Sequence, residues 1–271
     1  MHRPFSMNIK YDQTFLAYID FLGFENLVSK RDPEYIKKIL LLSKECSKNN
    51  GRYEYEINEI FDSVWFSDLY IRTINLDKHK NLSQRDFLFY EILVLTAYQI
   101  NAIIQYGVLM RGSVHIGMFY SDYSNKIYFG PALIDAHNDE RKKVKFSRIT
   151  IDKSVIEFYT NPPDWYKSIK EKTDKENDSL TLKNLICLDD DGLYFIDYIG
   201  YHLSFGVSNL NNDDNDFLII HKKLINDELK HNDRIEKYYW LKNYFNRSLL
   251  KYKDYLKNFG IDIIERGYFI D

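Results

Sequence analysis

The run Phe15-Leu16-Ala17-Tyr18-Ile19 carries no charge and stops at Asp20, ahead of Phe21-Leu22-Gly23-Phe24. A strand with one wet face alternates polar and apolar residues. A nearly continuous apolar run bounded by a glycine turn therefore predicts a central strand over 14–20. The acid at its end sits where the chain bends, a position from which a carboxylate can face a cation.

The segments that follow alternate in type. Residues 33–47 suit a helix, with Pro33 at an early position and Ile36, Ile39, Leu40 and Leu41 on its apolar face. Residues 53–61 and 63–72 read as paired strands, and the short Asp62-Ser63 junction predicts an antiparallel hairpin with Asp62 at its tip. A helix is expected over 83–106, opened by Ser83-Gln84-Arg85-Asp86 and stopped by Gly107. Strands at 108–118, 126–129 and 147–151 and a helix from Pro131 to Arg141 complete an α+β pattern: an antiparallel-rich mixed sheet with helices, around a ferredoxin-like split βαβ core.

Three regions are expected: a core over 11–160, a polar linker or insertion over 161–184, and a C-terminal extension over 185–271. The extension should hold a hairpin, turning at Asp189-Asp190-Asp191-Gly192, and helices at 214–230 and 233–258. The three consecutive acids lack the alternation of a calcium loop, so they read as a solvated turn.

A net charge of -3 gives no long-range attraction for nucleic acid, although a local basic patch could still hold a triphosphate. No apolar run is expected to reach the length that crosses a bilayer, which predicts a cytoplasmic protein with no membrane span. Cys46 and Cys187 have no metal-ligand spacing and read as thiols of a reducing compartment.

Asp20 and Asp62 are the candidate paired carboxylates, and two hard cations held between such groups are a common device for in-line displacement at phosphorus. Asp68 is the rival for the second position, one strand length from the expected tip. Further along come Arg111-Gly112-Ser113-Val114-His115-Ile116-Gly117 and Phe129-Gly130-Pro131-Ala132-Leu133-Ile134-Asp135-Ala136. In that order, over roughly residues 11–157, these pieces resemble the class III nucleotidyl cyclases. The stretch from Ile127-Tyr128-Phe129-Gly130-Pro131-Ala132-Leu133 to Arg148-Ile149-Thr150-Ile151-Asp152 is most similar to the stand-alone pyrimidine cyclases of the bacterial Pycsar antiphage system.

The resemblance implies a class III cyclase core and the conversion of UTP or CTP to the 3′,5′-cyclic monophosphate and pyrophosphate, as a signal in antiphage defence. It implies two divalent cations, Mn²⁺ or Mg²⁺, on Asp20, Asp62 and the main-chain carbonyl of Phe21, and a homodimer with shared active sites. Leu22, Gly23 and Phe24 would offer backbone N–H groups to the phosphates. Asn58 and Ile127 stand where purine-using relatives carry their base-reading pair, so Asn58 is the candidate reader of a pyrimidine.

Asn138 and Arg141 are the candidate transition-state residues, shifted from the family's register. Arg111 and Arg148 are alternative cations for the triphosphate. His115 reads as a satisfied core histidine. Two other readings stay open, a catalytically degenerate cyclase-fold module that binds nucleotide, and a nucleotidyltransferase acting between molecules.

Overall fold

A computed structural model describes residues 10–49, 61–78, 87–167, 171, 181–206, 214–231 and 235–251. Strand β1 (Asp12–Phe21) leads through helices α1 (Phe24–Lys30) and α2 (Pro33–Asn49) to β2 (Phe61–Phe66) and β3 (Leu69–Asn75). Helix α3 (Phe87–Tyr106) then returns the chain to β4 (Met110–Asp122). The sheet order β2-β3-β1-β4 is antiparallel throughout, which is the split βαβ arrangement.

After β4 come β5 (Ile127–Phe129), α4 (Pro131–Lys142), β6 (Ile149–Ile151) and α5 (Lys153–Thr160). Strands β7 (Ile186–Leu188) and β8 (Tyr194–Ile196) pair across the Asp189–Gly192 turn, and β8 joins β6, so these residues extend the core sheet. The one parallel pairing among the described strands is β4 with β6, which gives a mixed, mostly antiparallel sheet.

The apolar character of β1 has two destinations. Phe15, Ala17, Ile19 and Phe21 enter the main core with Ile39, Leu42, Leu88, Ile92 and Leu95 of α2 and α3. Leu16 instead packs with Phe119, Ala132 and Ala136 beneath α4, with Tyr18 at its edge. Successive side chains of a strand point to opposite faces, so Asp20 shares the α4 face with Leu16 and Tyr18. Gly112 permits the close β1–β4 contact, because a Cβ there would collide with the Tyr18 carbonyl oxygen.

The expected hairpin turns five residues later in the chain. Its strands are 61–66 and 69–75, and the turn is Ser67-Asp68, with Ser67 at φ 59. Asp62 is therefore a mid-strand residue opposite Thr73, and Asp68 is the acid at the tip. Stacking explains the placement. Trp65 lies 4.3 Å from Tyr70 and 5.7 Å from Phe21, ring centroid to ring centroid, which pins the turn beside the end of β1. Residues 53–60 of the expected first strand lie outside the described residues.

Helix α3 contradicts the expectation that no apolar run reaches bilayer-spanning length. Phe87–Tyr106 is long and apolar enough by length and composition, yet 67% of that stretch is buried inside the fold, as befits a core helix. It also carries Glu91, 1% exposed, whose carboxylate forms a two-pronged ion pair with fully buried Arg72 of β3.

In the extension, helices α6 (Tyr198–Tyr201), α7 (Asp214–His231) and α8 (Ile235–Lys251) follow β8; the continuation expected to 258 lies outside the described residues. The acidic turn is solvated at Asp190, Asp191 and Gly192 but not at its first residue. Asp189 is buried, and together with Asp191 it pairs with the fully buried guanidinium of Arg148. Trp240 of α8 donates its indole N–H to Asp189 at 2.6 Å, and Arg247 adds a bond at 3.2 Å. Arg148 thus fastens α8 to the sheet and is not disposed toward a ligand.

Candidate active site

Asp20 closes β1 opposite Leu69 of β3 and Arg111 of β4. Because Leu69 immediately follows the hairpin turn, the acid brought toward Asp20 is Asp68, whose charge raises the Asp20 pKa. Asp62 is not brought there. It lies four residues further along the sheet and two strands across, roughly 13 Å by roughly 10 Å. There its charge raises the pKa of Tyr123, whose hydroxyl is 3.1 Å from Thr73 Oγ1.

Arg111 links the strand to the helix above it. Its Nε donates to Asp20 Oδ2 at 3.0 Å, and its Nη2 is 2.8 Å from Glu140 Oε1 on α4. Tyr18, two residues before Asp20 on the same face, has its hydroxyl 3.0 Å from Nδ1 of His137, also on α4. Two carboxylates, Asp20 and Glu140, thus meet one guanidinium, with Asp68 acting on Asp20 from the hairpin turn. The excess negative charge suits cations, and two oxygen-donor side chains on adjacent strand ends are the ligand type of Mg²⁺ or Mn²⁺.

Desolvation, aided by Asp68 and opposed by Arg111, pushes the Asp20 carboxyl up to about 6. The sign for metal binding follows. Above that value Asp20 is ionised and available; below it a proton competes with the cation. Apparent Mn²⁺ affinity should fall about tenfold per pH unit below pH 6, two units above the ordinary carboxylate range. Titrations of Mn²⁺ binding between pH 5 and 7.5 test this, and a flat profile down to pH 5 would count against it.

The remaining predicted residues divide. The Leu22 N–H is used by the Leu109 carbonyl at 2.9 Å, so it is not directed at a phosphate. Gly23, at φ 75, ends the turn and precedes Phe24 at the start of α1, which leaves the N–H groups of that first turn for an anion. Phe21 has a buried ring stacked on Phe24 and Trp65. Asn58 lies outside the described residues. Asn138 is half-buried on α4, and Arg141 is exposed on its last turn.

Glu140, Tyr18 and His137 are neighbours of this cluster that sequence reading passed over, whereas Asp68 is its rival for the second position. For Glu140 a signal existed: it falls one helical turn after Ala136 and two after Ala132, on the buried stripe of α4.

No protein-family model matches the sequence, and no curated protein does. Solved structures similar to it include the catalytic core of a rhodopsin-guanylyl cyclase with converted specificity in complex with ATPαS, at TM-score 0.44 and 13% identity over 69% of this chain and 96% of that one. Another is the monomeric guanylyl cyclase domain of the RhoGC fusion protein from the aquatic fungus Blastocladiella emersonii, at 0.43 and 12%, over 69% of this chain and 95% of that one. A bacterial light-regulated adenylyl cyclase aligns at 0.36 and 9%, over 61% and 98%. Likenesses at these TM-scores carry no functional argument. The chain's own residues must.

Proposed function

We propose that the protein is a nucleotidyl cyclase that converts UTP or CTP to the 3′,5′-cyclic monophosphate and pyrophosphate. The observation that carries this reading is the Asp20–Asp68 carboxyl pair, at the junction of a central strand with a hairpin turn and beside the Gly23 bend. The ordered motifs that resemble class III cyclases support it, with one change: Asp68 takes the place first given to Asp62.

Asp20 and Asp68, with the Phe21 carbonyl, would hold two divalent cations. When bound, these cations would supply Lewis acidity that lowers the pKa of the ribose 3′-hydroxyl and balance charge on the triphosphate. The 3′-hydroxyl gives up its proton to solvent, the 3′-oxygen bonds to the α-phosphorus, the bond from that phosphorus to the β-phosphate oxygen breaks, and pyrophosphate leaves. Arg111 is placed to orient a phosphate with its fork once it turns from Asp20. The Gly23–Phe24 backbone lies where the phosphates can approach closely.

Ile127, in place of an acidic or polar residue, supports a base other than a purine; the reading of Asn58 is counted from Asp62 and falls with it. The antiphage role rests on the resemblance alone. A homodimer with shared sites is supported by apolar side chains left exposed near the pair, Phe66 at 77% beside the hairpin turn and Ile134 at 60% on α4.

One observation favours a second reading, a cyclase-fold module that binds nucleotide without turnover. The α4 side chain directed at Arg111 is the acid Glu140, where a cation would be needed to stabilise an oxyanion. Incubation of the purified chain with Mn²⁺ and each of the four ribonucleoside triphosphates, with products resolved by mass, separates the two. Cyclic UMP or cyclic CMP is expected. Absence of any cyclic product, with nucleotide binding retained, would leave the second reading standing.

A further inference from the structure

A second cluster lies on the same face of β4, four residues beyond Arg111. His115 is 4% exposed, and its ring is flanked by two aspartates from different elements, Asp139 of α4 and Asp152, the residue that caps α5. Asp139 Oδ2 is 3.8 Å from Nε2, and Asp152 Oδ1 is 3.7 Å from Nδ1. With one ligand atom taken from each residue, the three atoms lie within 4.8 Å of one another.

Hydrogen bonding decides which ring nitrogen is available. Ser113 Oγ sits 2.6 Å from Nε2; in the tautomer that carries the proton on Nε2 for the serine, the Nδ1 lone pair is left toward Asp152. A histidine held at its far nitrogen by a neighbouring oxygen is the usual support of a metal-bound imidazole. Burial pushes the ring's pKa down, which keeps it in the neutral form that metals bind.

The charge around the ring is unbalanced. Asp135, Asp139 and Asp152 act on it, and Lys143, half-exposed at the rim and 2.8 Å from Asp139, opposes them. Bonds of about 2.0–2.2 Å to one nitrogen and two carboxylate oxygens would need the three atoms to close by a few tenths of an ångström to about one ångström.

We propose that His115, Asp139 and Asp152 bind one divalent cation of the Zn²⁺ type, apart from the Asp20–Asp68 pair, and that this ion fastens α4 and the start of α5 to β4. Asp139 adjoins Asn138 and Glu140, so the ion fixes the helix that faces Arg111. The ligand set of one imidazole and two carboxylates fits Zn²⁺ better than Mg²⁺, which prefers oxygen alone.

The test uses the full chain carrying Asp20→Asn and Asp68→Asn, treated with chelator and titrated with Co²⁺ as the spectroscopic probe. One equivalent of Co²⁺ should bind with visible ligand-field absorption, raise Tm, and be displaced by one equivalent of Zn²⁺. His115→Gln and, separately, Asp139→Asn should each weaken binding by about tenfold or more, as loss of one of three protein ligands requires. Asp139 is partly exposed, so its variant decides the matter should His115→Gln fail to fold. No Co²⁺ uptake in the doubly substituted background, or uptake unchanged in Asp139→Asn, would overturn the proposal. Neither result bears on turnover at the other site.

Discussion

Replacement of Asp20 or Asp68 by Asn should lower cyclic nucleotide formation by on the order of 10³-fold, about 4 kcal/mol of transition-state stabilisation, while Asp62→Asn stays within about tenfold of the parent. The contrast follows from register. Asp68, at the hairpin turn, acts on Asp20 at the end of β1, whereas Asp62 faces Thr73 and acts on Tyr123 at the far end of the hairpin. Each carboxylate-to-amide change keeps volume nearly constant, and Asp68 lies at a turn, so thermal melting should move little in its variant. Initial rates with Mn²⁺ and the preferred triphosphate measure the effect. Equal losses in Asp62→Asn and Asp68→Asn would refute the assignment.

A stability effect of comparable size is expected at the opposite face of the sheet. Arg72 is fully buried, bonds both carboxylate oxygens of Glu91, donates to Ser47 Oγ at 3.0 Å and lies 3.7 Å from the centroid of the Phe61 ring. Removing one partner of such a pair strands the other charge in the core, a loss of about 3–5 kcal/mol. Typical domains hold about 5–15 kcal/mol in total. Arg72→Met should therefore shift the urea midpoint far down, and Arg72→Met combined with Glu91→Leu should recover most of the loss, because the stranded carboxylate is gone. A double variant as unstable as the single one would mean that packing around Arg72, not charge, accounts for the cost.

Much of the frame was legible from local pattern. The apolar run before Asp20 reads as a strand because no single wet face could accommodate it, and β1 does lie inside the sheet with helices over both faces. The α+β character and the order β1, helix, hairpin, helix, β4 follow from periodicities of two and 3.6 that each segment carries by itself. Asp20 was also legible, since an acid ending such a strand before a glycine bend has few other reasons to be there.

The second carboxylate was not. Both Asp62 and Asp68 interrupt apolar runs, and nothing within six residues says which of them is a turn. That is settled by Trp65 stacking on Tyr70 and Phe21, a contact between segments more than forty residues apart. The same holds for Arg148. A surface arginine and a phosphate-binding arginine look alike in sequence, and only the folded chain brings Asp189, Asp191 and Trp240 to it.

The amino-acid order alone thus determined element type and the first acid of the site, because backbone periodicity and turn chemistry act over a few residues. Strand register, the partner of Asp20, and the grouping of His115 with Asp139 and Asp152 were decided by tertiary structure, because each depends on which distant side chains pack and pair once the sheet has closed.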